Sequence, residues 1–315
     1  MKVAITGSSG LIGTALTASL QADGHQVVRL VRRPPRAADE IRWDPHAADA
    51  GNPVLTGVSA CVHLAGAGVG DHRWTAAYKA EIRSSRVLAT RALATALTGA
   101  SPRPATFIVA SAIGWYGDTG GAAVTEDAPA GTGFLSRVVA DWEAAASPAR
   151  EAGIRVAQLR SGLVLGSGGG VLGRLALPAR LGVLPRFGDG RQVMSWISLT
   201  DEVRAIRFLL DGAGTGDGGE AGDADGGGAS ARIGPYNLTA PNPVTNAELT
   251  SALLAAFRRP DLSWLRVPAP ALKLGLGEMS AELLTSARVL PKRLLEAGFA
   301  FDHPTVSAAL AAELS

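Results

Sequence analysis

The stretch from Lys2 to Val31 limits what this chain can fold into more than any other. Lys2-Val-Ala-Ile-Thr6 is a short apolar run that reads as a strand, and Gly7-Ser-Ser-Gly10-Leu-Ile-Gly13 follows it directly. A helical pattern continues through Leu16 and Leu20 to Ala22, Gly24 breaks it, and Gln26–Val31 reads as a second strand. The result is one β-α-β unit with glycines spaced GxxGxxG. The first glycine permits a tight exit from the strand. The second lets the backbone approach a pyrophosphate, and the third lets the helix pack closely on the sheet. Main-chain N–H groups and the positive helix end then face the phosphates. Gly7, Ser8, Gly10, Leu11, Ile12 and Gly13 are therefore expected to bind a dinucleotide, the bland alternative being a tight structural turn.

A chain of 315 residues, 47% of them hydrophobic, can bury a large core and is not generally disordered. No apolar run reaches the roughly 18 residues of a membrane span. The N-terminal apolar run is broken by Gly-Ser-Ser-Gly, so it reads as the dinucleotide fingerprint and not as an export signal. The single Cys61 excludes an internal disulfide framework and a cysteine metal cluster. Net charge is +2, with no basic stripe for nucleic acid. The cytoplasm is the expected compartment, with a small-molecule substrate, no nucleic-acid or membrane partner, and no indication of oligomeric state.

Arginines stand at the end of the second strand, in Arg29-Leu-Val-Arg32-Arg33-Pro34, where an NAD-preferring fold usually carries an acid for the ribose hydroxyl. Arg32 and Arg33 can pair with a 2′-phosphate, so NADP(H) is the expected cofactor; the alternative is a solvated strand end with ordinary surface arginines. Glu40–Asp44 suggests a third strand, with Asp44 placed either to bind the adenine amino group or to cap the turn at Pro45. Ala60–Leu64 is a buried-type strand, and Leu64, Ala65 and Gly66 let the chain pass close to a cofactor. His63 reads as a core histidine, and no histidine spacing suggests a metal site.

A helix is expected over 75–97, a strand over 105–111, a helix over 134–146 and a strand over 154–160. This alternation predicts an α/β fold, a Rossmann-like doubly wound parallel sheet covered on both faces. Ser111 and Tyr116 lie where such sheets bind ligands and are the candidate catalytic hydroxyls; packing and capping are the alternatives. Beyond Leu172 the alternation weakens. A helix broken at Pro178, a strand over 193–197 and a helix capped by Thr200 are expected, with Arg191 and Trp196 as candidate substrate contacts. Residues 211–230 are almost all Gly, Asp, Ala, Glu and Thr and predict a mobile surface insertion. Residues 1–235 then form the cofactor domain, with 167–200 on the substrate side, and 236–315 a mainly helical C-terminal region with helices over 268–276, 279–290 and 292–298.

The motifs ITGSSGLIG at 5–13, HLAGAG at 63–68, SAIGWYGD at 111–118, LRSGLVLG at 159–166 and SWISLTDEV at 195–203 resemble the extended short-chain dehydrogenase/reductase superfamily. With YNLTAPNPVTN at 236–246 and LPKRLLEAGFAF at 290–301, the chain more closely resembles its SDR39U1-like epimerase family, which has a C-terminal domain of its own, DUF1731-like. The resemblance implies NAD(P) binding and chemistry often directed at nucleotide-linked sugars. It also implies a catalytic YxxxK pair with a nearby Ser or Thr, in which the tyrosine exchanges a proton with substrate oxygen. That pair is absent: Tyr78, Tyr116 and Tyr236 are the only tyrosines, and none has Lys four positions later. The expected helix starts Phe134-Leu-Ser-Arg-Val, and Ala112 stands at the usual catalytic serine. Two functions follow as expectations: an NADP(H)-dependent oxidoreductase or epimerase with an atypical centre, or an NADP(H)-binding sensor or scaffold without turnover.

Overall fold

The computed structural model describes residues 1–45, 55–211, 232–262 and 264–314. Its first half alternates strand and helix. β1 (Lys2–Thr6), α1 (Leu11–Ala22), β2 (Gln26–Val31), β3 (Glu40–Arg42) and β4 (Ala60–His63) lead to the long α2 (Ala76–Thr98). Thr75 caps α2, its hydroxyl accepting from the Tyr78 N–H. β5 (Thr106–Ala112), the short β6 (Ala123–Val124), α3 (Phe134–Ala144), α4 (Ser147–Glu151) and β7 (Arg155–Ser161) follow. Pro148 sits at the start of α4, where a missing N–H costs no helix bond, so it begins a helix instead of ending α3.

Short elements then leave the sheet: β8 (Leu163–Leu165), α5 (Gly170–Arg180), β9 (Arg186–Phe187), β10 (Val193–Met194) and β11 (Trp196–Ser198). The strand expected over 193–197 is thus split at Ser195. Pro178 lies inside α5 without breaking it. α6 (Leu199–Asp211) is capped by Ser198, whose hydroxyl accepts from the Asp201 N–H at 3.0 Å, and not by Thr200, which bonds Glu313 of the C-terminal helix. The expected insertion lies outside the described residues apart from Asp211.

The chain resumes as β12 (Gly234–Leu238), β13 (Val244–Thr245) and α7 (Asn246–Ala256), which has a Thr245–Glu248 capping box. β14 (Arg266–Val267), α8 (Ala269–Leu276), α9 (Ser280–Leu284), β15 (Arg288–Val289), α10 (Lys292–Glu296) and α11 (Val306–Glu313) complete it. The single helix expected over 279–290 is therefore interrupted: Arg288 and Val289 pair with Ala123 and Val124 instead.

Seven parallel strands form the central sheet in the order β12-β7-β5-β4-β1-β2-β3. β12 is an edge strand of this sheet, so the domain boundary expected after residue 235 falls inside it. One face packs Leu159, Ile108 and Leu238 against Leu16 and Leu20 of α1 and Val203 and Ile206 of α6. The other packs Phe107, Val109 and Val156 against Leu93 and Leu97 of α2 and Trp142 of α3. Both faces are covered, which is why these strands read as continuous apolar runs. No helix among the described residues is long and apolar enough to cross a membrane.

Candidate cofactor cleft and the network behind it

A cleft of about 720 Å³ runs over the C-terminal ends of β1, β2 and β4. Gly7, Ser8 and Gly10 form its floor, Arg32 and Arg33 one end, and Leu64, Ala65 and Gly66 its far wall. Eight expected cofactor residues are thereby brought together. Leu11, Ile12 and Gly13 instead form the first turn of α1 behind the glycine loop, and Asp44 stands between Trp43 and Pro45, which line the cleft.

The glycine loop has a physical reason at two positions. Gly7 has φ +67°, and a Cβ there would lie 2.8 Å from the Leu64 backbone. A Cβ on Gly13 would lie 2.1 Å from the Gly7 carbonyl oxygen. The third glycine therefore lets α1 close on its own loop, a contact nearer than the expected one with the sheet. No side chain caps the N-terminus of α1 and no acid stands in its first turn, so its N–H groups and positive dipole end suit a diphosphate.

Thr6 and His63 fix the two strand ends beneath this loop. Thr6 Oγ1 accepts from the Leu64 and Ala65 N–H groups at 3.2 and 3.3 Å, so its own proton goes to His63 Nδ1, 2.6 Å away. His63 then carries its proton on Nε2, which has no partner among the described residues. Burial, with the nearby Arg86 charge, pushes its pKa down to about 4. His63 is a neutral core residue, as its sequence setting suggested.

At the arginine end the structure adds an acid that local sequence did not show. Arg33 makes a bidentate pair with Glu40, both bonds 2.7 Å, and Arg29 pairs with Asp39 at 2.8 Å. The Arg33 guanidinium and the Arg36 N–H hold the Glu40 carboxyl down to about 2. The signal that could have found Glu40 is register: it pairs with Arg29 across β2 and β3. Glu81, Ser84 and Ser85 of α2 also line the cleft, at the helical spacing that puts them on one face.

Ser111 and Tyr116 are not among the residues lining the cleft. Alternation along β5 turns Ser111 with Phe107 and Val109 toward α3. There its hydroxyl donates to Glu143 Oε1 at 2.6 Å. Arg160 forks onto the same carboxylate at 2.8 and 2.9 Å, donates to the Tyr116 hydroxyl at 3.0 Å and stacks 3.9 Å over Trp115. Tyr116 donates in turn to Asn237 Oδ1 at 2.7 Å, and burial pushes its pKa up. Both hydroxyls are thus bonded within one buried network. Trp196 is fully buried, its indole N–H on the Asn242 carbonyl, which corrects its expected substrate contact to a core position. Arg191 is solvent-exposed beside Asp189. Phe134, where the helix of the missing pair starts, packs on Trp74 with the Lys79 ammonium 4.9 Å from its ring. No metal-holding cluster occurs among the described residues.

Residues 3–221 match the NAD dependent epimerase/dehydratase family, and residues 267–313 match DUF1731, a domain of unknown function. The chain is 43% identical to the epimerase family protein Mb2239 of Mycobacterium bovis, covering 98% of this chain and 96% of that one. It superposes on the crystal structure of human epimerase family protein SDR39U1 with NADPH at a TM-score of 0.86, with 32% identity and 99% of each chain covered. A nucleoside-diphosphate sugar epimerase from Corynebacterium glutamicum superposes at 0.76 with 35% identity, over all of this chain and 58% of that one.

Proposed function

The chain belongs to the NAD-dependent epimerase/dehydratase family, in its SDR39U1-like branch, and from that premise we propose that it binds NADP(H) and exchanges hydride with a small-molecule substrate. The observation that carries the reading is the cleft: an uncapped helix N-terminus and glycine loop at its centre, and Arg32 and Arg33 at the end where an adenosine ribose would lie. The human relative solved with NADPH supports the phosphorylated cofactor. Gly7, Gly10 and the first turn of α1 would hold the diphosphate, Leu64 to Gly66 the adjoining ribose, and Arg32 the 2′-phosphate. Arg33 would serve that phosphate less directly, since Glu40 already takes both arms of its fork. When bound, the cofactor supplies the hydride chemistry.

Competition titration of Arg32→Ala/Arg33→Ala tests the cofactor. A charge-assisted hydrogen bond contributes about 1.5–3 kcal/mol. NADP binding should therefore weaken at least about tenfold more than NAD binding. Equal weakening of both would refute the preference.

One observation favours a second reading, a cofactor-binding sensor or scaffold. Ser111 and Tyr116, proposed from sequence for proton exchange, must release Glu143 and Asn237 before they can act. Hydride transfer followed at the reduced-nicotinamide absorbance separates the two readings. Turnover of any carbonyl or alcohol probe excludes the pure sensor.

A further inference from the structure

A second hydroxyl stands at the sheet end, and sequence reasoning passed over it. Ser161, the last residue of β7, is in register with Ala112 on one side and Leu238 on the other. Alternation sets Ser161 on the face of Leu159, toward α1 and α6 and away from the Arg160–Glu143 network. Ser161 is partly buried at the same C-terminal sheet edge as Thr6 and Leu64; like Ser111 it is not among the residues lining the 720 Å³ cleft, and it would reach only a ligand that extends past Thr6 and Leu64 along that edge. Its segment also runs beside the first turn of α1: a Cβ built on Gly166 would lie 3.4 Å from a Leu11 methyl.

Behind Ser161 lies a carboxyl with no structural explanation. Glu202, in the first turn of α6, is fully buried. The Ser161 hydroxyl is 2.6 Å from its Oε1, while its Oε2 has no hydrogen-bond partner among the described residues. An unmade buried bond costs free energy, which a functional role would account for. The adjoining charged groups are engaged elsewhere. Asp201 accepts from the Asp302 and His303 N–H groups and pairs with Arg204, and His303 Nδ1 meets Ser198. Arg160 is on the opposite sheet face, bound to Glu143. From α1, Leu16 and Leu20 face the same core. Burial alone raises the Glu202 pKa to about 8, and the Ser161 bond opposes that rise.

We propose that Ser161 is the catalytic hydroxyl at the nicotinamide end of the cleft, with Glu202 behind it as the neutral acid that supplies its proton. The inference rests on the NADP(H) reading above. In carbonyl reduction, hydride from the reduced nicotinamide forms the new C–H bond as the carbonyl π bond breaks. The carbonyl carbon is reduced and the nicotinamide oxidised. The Ser161 proton passes to the carbonyl oxygen and the Glu202 proton passes to Ser161; after the alcohol leaves, water protonates Ser161 as Ser161 returns a proton to the buried Glu202 carboxylate. The substrate class is a small carbonyl compound, or its alcohol in the reverse direction.

The first test needs no turnover. NADP⁺ and NADPH binding are measured by calorimetry at pH 7.5 in buffers of different ionisation enthalpy. A cationic nicotinamide beside Glu202 favours its carboxylate, so NADP⁺ should release more protons than NADPH, and Glu202→Gln should abolish the difference. The second test is single-turnover reduction of phenanthrenequinone with NADPH saturating. The parent rate should fall as pH rises through about 8, because the acid must be protonated. Glu202→Gln should flatten that profile. Ser161→Ala should slow the step at least about tenfold without changing NADPH affinity, and Ser161→Thr should restore it. Circular dichroism confirms folding; if Glu202→Gln does not fold, Glu202→Asp and the serine variants carry the test. Equal proton release for the two cofactor forms, or full rate in Ser161→Ala, overturns the proposal. Glu202-dependent proton release without any probe reduction would uphold the placement of the pair and defeat the hydride-transfer reading instead. Failure of both cofactor forms to bind would defeat both.

Discussion

Two buried ionisable residues, Glu202 and His63, should write opposite slopes into the stability of this protein. The folded pKa of Glu202 is raised to about 8, so between its unfolded value of about 4.3 and 8 the folded state holds the extra proton. Its contribution is complete at low pH and is lost as pH rises through that window. His63 is depressed to about 4, so between 4 and its unfolded value of about 6.5 the unfolded state binds the extra proton. Its contribution is complete above that window and is lost as pH falls through it. Thermal melts from pH 4 to 9 should show both. Glu202→Gln should remove the alkaline decline and leave the acid one; retention of the alkaline decline would place its source elsewhere.

At the scale of elements, the helix expected to carry a Tyr–Lys pair carries instead one side of an ion pair. Glu143 on α3 and Arg160 on β7 have side chains 10% and 3% exposed; Ser111 donates to Glu143, and Arg160 donates to the Tyr116 hydroxyl, which donates in turn to Asn237. Removing one partner of such a pair leaves an uncompensated buried charge, at a cost of roughly 3–5 kcal/mol. Arg160→Ala should therefore lower the urea midpoint sharply, while Arg83→Ala, at the exposed pair with Asp141, should leave it nearly unchanged. Comparable midpoints for the two variants would show that the network is not a structural brace. The β15–β6 pairing belongs to the same assembly, since Asn237 Nδ2 donates to the Leu290 carbonyl just beyond it.

The C-terminal region is part of the main core at the scale of the molecule. Leu294 and Phe299 pack in the same cluster as Ile5 and Leu16, and Val289 is fully buried. Truncation after Ser286 should expose that face of the sheet. Expression of residues 1–286 should give insoluble or molten protein, read by loss of near-ultraviolet circular dichroism. A soluble, cooperatively melting truncation would mean that the two regions fold independently.

Sequence alone determined what depends on neighbours along the chain. The first β-α-β unit, its glycine loop and most sheet strands are local patterns of period and turn chemistry, and they appear within a residue or two of where they read. The missing YxxxK pair was equally plain. Contacts across the sheet were not legible, because register and face are properties of strands far apart in the chain. Glu40 reaches Arg33 only once β2 and β3 pair. Ser111 turns from the cleft lining toward Glu143 through strand alternation and the seating of α3. Arg288 and Val289 sit in an apolar segment that reads as helix, until Ala123 and Val124 offer their backbone bonds from elsewhere. Ser161 and Glu202 are 41 residues apart and share no motif. Only burial between β7 and α6 makes them a pair, because desolvation, which no linear pattern encodes, keeps a carboxyl neutral there.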